Sequence, residues 1–155
     1  EMVSVAAEAA VPVVIMHILG TPRNMQDNPQ YQDVVQEISD YFIERTEFAL
    51  QSGVSRDSII IDPGIGFGKN LQHNLLIIRQ LFNFRQLGYP LLVGPSRKKF
   101  IGRILKLPVE ERLIGTCAVV AACALNGADI IRAHDPEEVS QAALTADAVS
   151  GKLEV

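Results

Sequence analysis

Cysteine is scarce in this chain: Cys117 and Cys123 are the only two among 155 residues. That excludes a disulfide framework and every multi-cysteine zinc module. Positive charge is not in surplus either, with 14 Lys and Arg against 18 Asp and Glu and a formal net charge of -4. A nucleic-acid binder working by bulk positive charge is thereby excluded. No long hydrophobic run is present. The longest, Cys117–Leu125, falls well short of the ~20 residues that cross a bilayer, so no membrane partner is expected. The chain opens without a basic segment, so no secretory signal is visible, and the expected location is cytoplasmic. An initiator Met is also missing. The stretch from Glu1 to Ala10 reads as the tail of a helix already in progress, and the expectation is a fragment. What remains is ordinary globular composition, 48% hydrophobic and 21% charged. It suits a single domain, 1–155.

Four short apolar runs stand out: Val13-Val14-Ile15-Met16, Ile59-Ile60-Ile61, Leu91-Leu92-Val93 and Ile130-Ile131. None alternates with polar residues, which suits strands buried on both faces, as in a parallel sheet. Helical spacing fills the intervals. Val34, Val35, Ile38, Tyr41, Phe42, Phe48 and Ala49 form one face, with Gly53 as the stop. Leu71 to Phe82 forms a second helix stopped near Gly88, and Glu110 to Leu125 a third ending at Gly127. A fourth opens at Asp135-Pro136-Glu137-Glu138, with Asp at N-cap, Pro at N1 and acids in the first turn. Strand and helix alternating four times means α/β with a parallel sheet. Two architectures fit: an open doubly wound sheet, or half of a (β/α)₈ barrel, which takes ~250 residues when whole.

The chemistry-bearing residues follow the strands. His17 comes after the first, Asp62-Pro63-Gly64-Ile65-Gly66-Phe67-Gly68-Lys69 after the second, Gly94-Pro95-Ser96-Arg97-Lys98-Lys99 after the third and Arg132-Ala133-His134-Asp135 after the fourth. In parallel α/β folds these ends converge on one rim. The glycine-rich segment is not a P-loop, because Asn70 follows Gly68-Lys69 and Pro63 stands where the first Gly belongs. It reads either as a flexible loop or as a small-residue surface on which a planar ligand approaches the backbone beside Asp62. Asp62 itself reads either as the acceptor of an Asx-Pro turn or as a charged acceptor for two parallel ligand N–H groups, such as an amino-pyrimidinone edge. Ser96 to Lys99 reads as a solvated charge run or as cations reinforcing a helix N-terminus for an anion. Arg132 and His134 share one side of an extended backbone and suit phosphate oxygens. His134 is alternatively a residue bonding the backbone where a helix starts. His17 reads as structural, His73 as a helix-surface residue, and the cysteines as small hydrophobes on one helix. At six residues' separation their Cα atoms are ~9 Å apart, too far for a disulfide.

Taken together, Val14-Ile15-Met16-His17-Ile18-Leu19-Gly20-Thr21-Pro22-Arg23-Asn24-Met25-Gln26 and the segments Asp62–Asn70, Leu91–Lys99 and Arg132–Asp135 resemble the dihydropteroate synthase family, in order and over nearly the whole chain. The resemblance is to the C-terminal half of that enzyme. It implies the second half of a (β/α)₈ TIM barrel, four parallel strands each followed by helix. The implied reaction joins 6-hydroxymethyl-7,8-dihydropterin diphosphate to 4-aminobenzoate, giving 7,8-dihydropteroate and diphosphate. It implies that Asp62, Lys98, Arg132, Met16 and Gly94 bind the pterin. Ser96, Lys98 and Phe67 would line the aminobenzoate site, and Arg132 and His134 would bind the diphosphate. Lys98, Arg132 and His134 are the residues it makes catalytic. It implies Mg²⁺ as cofactor, with its ligand outside these residues, a sulfonamide target, and a homodimer. Ile18 and Ile65 depart from Met and Phe, both apolar exchanges. The alternative is a non-catalytic phosphate- or nucleotide-binding α/β module. With no metal ligand and half a barrel, the chain alone is expected to be inactive.

Overall fold

Hydrophobic runs this short have to pair to satisfy their backbone, and all four do. A computed structural model describes residues 2–153; Glu1, within the expected helix tail, lies outside them. β1 (Val13–Met16) pairs in parallel with β2 (Ile59–Asp62), from Val13 opposite Ile59 to Met16 opposite Asp62. β3 (Leu92–Val93) pairs in parallel with β4 (Ile130–Ile131). A parallel bridge between Ile61 and Leu91 joins the two pairs. The spatial order β1-β2-β3-β4 therefore repeats the chain order. A doubly wound sheet reverses strand order at a switch point, whereas a barrel runs round in sequence, so this is a partial (β/α) barrel.

The helices are α1 (Met2–Ala9), α2 (Val34–Gln51), α3 (Leu71–Arg79), α4 (Leu81–Arg85), α5 (Lys99–Leu105), α6 (Leu113–Leu125) and α7 (Pro136–Val149). α2 starts where the Asp33 carboxylate accepts the Val35 and Gln36 N–H groups, and Glu37 reaches back to the N–H groups of Gln32 and Asp33. Its face of Val34, Val35, Ile38, Phe42 and Ala49 is buried, with Phe42 edge-on to Phe84 of α4. Ile59, Ile61, Leu91 and Val93 complete this core. Truncating any of them to Ala removes contacts worth about 2–5 kcal/mol.

Four expectations change. The strands are not all buried on both faces: β2 and β3 are nearly so, but Val14 in β1 is 43% exposed and Ile130 in β4 is 36% exposed. These are the outer strands, each with a partner on one side only. The Leu71–Phe82 helix is two helices broken at Gln80. Asn126 donates its side-chain N–H to the Ile78 carbonyl at 2.8 Å, taking the acceptor that the continuing helix would use. The third helix begins at Leu113 rather than Glu110, which sits in a 3₁₀ turn after Pro108. It is preceded by α5, which ends at Lys106 in the left-handed region. Pro136 does hold the first position of α7, but Asp135 makes no capping hydrogen bond, because its carboxylate is engaged by Arg97.

Candidate functional site

The carboxyl ends of the strands bring the four polar segments together. Asp62, the last residue of β2, is 1% exposed. One oxygen accepts the Gly64 N–H at 2.8 Å, and the other accepts an Arg132 guanidinium N–H at 3.0 Å. The Asx-turn reading of Asp62 therefore holds for one oxygen, and the Arg132 guanidinium lies on the other. Burial raises its pKa, opposed by the Gly64 N–H and by Arg132, Lys98 and Lys69 nearby.

The glycine-rich segment is not a flexible loop. Five consecutive carbonyls are each taken by a donor: Gly64 by the Phe67 N–H, Ile65 by Lys98 Nζ, Gly66 by the Gln26 amide, Phe67 by Lys69 Nζ and Gly68 by the Tyr31 hydroxyl. The Gly66 N–H donates to the buried Asn74 side chain at 2.7 Å. Gly64 is obligatory, since its φ is +68° and a Cβ there would lie 1.9 Å from the His17 carbonyl oxygen. Lys98 spans the loop from the third segment, its ammonium 4.0 Å from the centre of the Phe67 ring. Burial pushes the Lys98 pKa down, while Asp62 raises it.

Lys69 is the residue that sequence reasoning missed. It is 3% exposed, and its ammonium lies 2.9 Å from both His17 Nδ1 and the Phe67 carbonyl. Desolvation lowers its pKa to about 7 despite Asp62. Burial and then Lys69 lower His17 to about 3, so the imidazole is neutral and Nδ1 accepts. His17 is structural, as expected. The one sequence signal for Lys69 was its place beside the third loop glycine. His73 is more than a surface residue, since it completes the capping box of α3 with Asn70 and packs edge-on against Tyr31.

The cations after β3 and β4 divide between tasks. Arg97 forms a two-pronged pair with Asp135 and is not available to an anion. α5 starts at Lys99 with no side-chain cap on its first N–H groups. Gly94 lies under the Arg132 guanidinium, whose Nε and terminal nitrogen stand 3.2 Å from where a Cβ would be. Ser96 is buried, its hydroxyl 2.9 Å from His134 Nδ1 and accepting the His134 N–H at 3.2 Å. Arg132 lies over Gly94 and His134 meets Ser96, both pairs just beyond the last register pair, Val93 opposite Ile131. Met16, opposite Asp62 in register, also borders a mainly apolar cavity of about 410 Å³ between α1, β1 and α2. A second cavity, of about 200 Å³, lies behind the glycine loop and is bordered by Gly66, Lys69, Lys98, Lys99 and Arg103.

Among the described residues no cluster of three or more His, Cys, Asp or Glu could hold a metal ion. Nor is any helix among them long and apolar enough to cross a membrane.

A buried carboxylate paired with a half-exposed guanidinium stands at the rim of a partial barrel, the strand-end placement at which enzymes of this fold build their sites. The family model described as pterin binding enzyme matches residues 1–134, and the chain belongs to that family. It is 44% identical over 150 residues to the dihydropteroate synthase of Synechocystis sp., covering 96% of this chain and 52% of that protein. It is 44% identical over 137 residues to the dihydropteroate synthase of Escherichia coli K12, covering 88% of this chain and 49% of that protein. In structure it is similar to the Yersinia pestis dihydropteroate synthase in a sulfonamide drug complex. The TM-score is 0.94 at 38% identity, over 96% of this chain and 54% of that one. The Xanthomonas albilineans dihydropteroate synthase with 4-aminobenzoic acid gives 0.87 at 35% identity, over 95% of this chain and 52% of that one. The chain spans about half the length of the curated relatives it matches.

Proposed function

We propose that this chain is the second half, as a single domain, of a cytoplasmic, homodimeric dihydropteroate synthase. The enzyme joins 6-hydroxymethyl-7,8-dihydropterin diphosphate to 4-aminobenzoate. The observation that carries the reading is the buried Asp62 carboxylate at the end of β2 with Arg132 and Lys98 gathered beside it. Asp62 accepts two N–H groups from the amino-pyrimidinone edge. Lys98 donates to the pterin carbonyl and ring nitrogen, Met16 packs against the ring, and Gly94 leaves room for Arg132 to cover its face. Phe67, Lys98 and Ser96 border the aminobenzoate. The cations of the 200 Å³ cavity beside that wall suit its carboxylate.

The amine nitrogen of 4-aminobenzoate attacks the methylene carbon as the carbon–oxygen bond to diphosphate breaks. The electron pair of the broken bond leaves on the diphosphate, and the proton that the amine gives up passes to that anion or to solvent. Arg132 and His134 stabilise that charge, and the fixed loop holds Phe67 and Asp62 in place for the attack. The Mg²⁺ ligand lies outside this chain, and no step here depends on it.

Replacing Asp62 with Asn in the full-length protein tests the reading. A charged hydrogen-bond acceptor contributes about 1.5–3 kcal/mol, so pterin affinity should fall roughly tenfold or more. Calorimetry showing unchanged affinity overturns the assignment.

A further inference from the structure

Of the cations gathered around the glycine loop, Lys69 is the one that the proposed reaction does not use. It is buried, and both partners of its ammonium belong to the protein: the Phe67 carbonyl and His17 Nδ1, each at 2.9 Å. His17 in turn is fixed to the strands. Its backbone N–H donates to the Asp62 carbonyl at 2.9 Å, one step beyond the β1–β2 ladder, and its ring meets the Tyr41 ring edge-on at 5.0 Å. Lys69 therefore ties the backbone of Phe67 to the strand end that carries Met16 and pairs with Asp62. The other ties on the loop differ in kind. Gln26, which holds the Gly66 carbonyl, is exposed. Tyr31 holds Gly68, one residue past Phe67. Lys98, which holds the Ile65 carbonyl, is also the residue assigned above to the pterin, so its donors are shared with the ligand. The Lys69 tie is sealed from solvent and contested by no substrate. It also survives the loss of a proton at a pKa of about 7, since a neutral amine keeps two N–H groups for its two acceptors.

We propose that Lys69 is a positioning residue for the 4-aminobenzoate site: through the Phe67 carbonyl it fixes the Phe67 ring relative to the β1–β2 strand ends that carry the pterin anchor. The inference rests on the dihydropteroate synthase reading above, in which Lys69 touches neither substrate. Attack needs the amine nitrogen held in line with the methylene carbon, and a small displacement of the wall that holds it lowers the population of reactive complexes. Lys69 is the only donor to the Phe67 carbonyl among the described residues, so without it that carbonyl has to turn away to find another partner. Asp62 is held independently, by the Gly64 N–H and by its place in β2. Loss of Lys69 therefore loosens the wall of one substrate and leaves the anchor of the other in place.

That asymmetry between substrates sets the test. Steady-state kinetics of dihydropteroate formation by the full-length protein, in the presence of Mg²⁺, compare wild type with Lys69→Met and with Ile38→Val, which trims the buried core of α2 without touching the loop. Lys69→Met should raise KM for 4-aminobenzoate about fivefold, the size of one net hydrogen bond, while KM for the pterin diphosphate stays within about twofold. Ile38→Val should move neither. Hydrogen exchange without ligands, followed by mass spectrometry, gives a second measurement. In Lys69→Met the loop peptide around Phe67 should exchange about tenfold faster and the β2 peptide at the wild-type rate. The proposal is overturned if KM for 4-aminobenzoate keeps its wild-type value in Lys69→Met, if both KM values rise together, if Ile38→Val raises KM for 4-aminobenzoate as much, or if the loop exchanges at the wild-type rate. If wild type forms no dihydropteroate, the functional reading falls instead, and the exchange arm, which involves no substrate, decides whether Lys69 holds the loop. Lys69→Gln, an amide too short to reach both acceptors, takes the place of Lys69→Met if that variant does not fold.

Discussion

Lys69 gives a quantitative test of the buried network under the site. Its ammonium is 3% exposed and sits between a neutral imidazole and a carbonyl. Burial drops its pKa from 10.5 to about 7. Between those two values the unfolded chain holds the proton and the folded chain does not. Stability rises with pH wherever the unfolded state binds more protons, so the cost of burying Lys69 is full below pH 7 and is relieved as pH rises towards 10.5. Each pH unit across that interval is worth about 1.4 kcal/mol, and from pH 7 to pH 9 the relief comes to about 2 kcal/mol after allowing for partial titration near 7. Tyr31, which burial raises well above the usual phenol range, titrates only above this window. Lys69→Met has no proton to lose. Urea unfolding followed by circular dichroism at pH 7, 8 and 9 should show wild type gaining about 2 kcal/mol relative to the variant. Equal pH slopes in the two proteins would refute the reasoning, and a wild-type stability that falls relative to the variant would reverse its sign.

Two further outcomes follow from the packing. Gly64→Ala drives a Cβ into the His17 carbonyl oxygen and forces a positive φ on Ala. Thermal melts should show a loss of about 3 kcal/mol or more, and a loss below about 1 kcal/mol would mean that the loop is softer than its hydrogen bonds imply. Cys117 and Cys123 are both free thiols. Cys123 is buried, with its thiol pushed up to about 12. Under native conditions a thiol reagent should modify Cys117 first, and two thiols should titrate after denaturation without reductant; finding none would refute the unpaired state.

Much of the fold was legible in the sequence because its signals are local. The Ile59–Ile61 and Leu91–Val93 runs specify strands through continuous apolar character and short length. Pro136 marks a helix start through its own backbone chemistry. Likewise Asp62, Lys98, Arg132 and His134 were visible as polar residues placed just after apolar strands. What the sequence left open depended on partners distant along the chain. The strand order that separates a barrel from a doubly wound sheet rests on a bridge between Ile61 and Leu91. The break at Gln80 is imposed by Asn126, and the loss of the Asp135 cap by Arg97. The rigidity of the glycine loop comes from Gln26, Tyr31 and Lys98, none of which adjoins it in sequence. Lys69 looked like one more cation after a glycine, and only tertiary packing seals it beside His17, where desolvation rather than sequence context sets its charge. Local propensity fixes where an element starts and which face is apolar. Which buried polar group meets which is decided only when the chain closes, because each such group has to find a partner in the space that packing leaves.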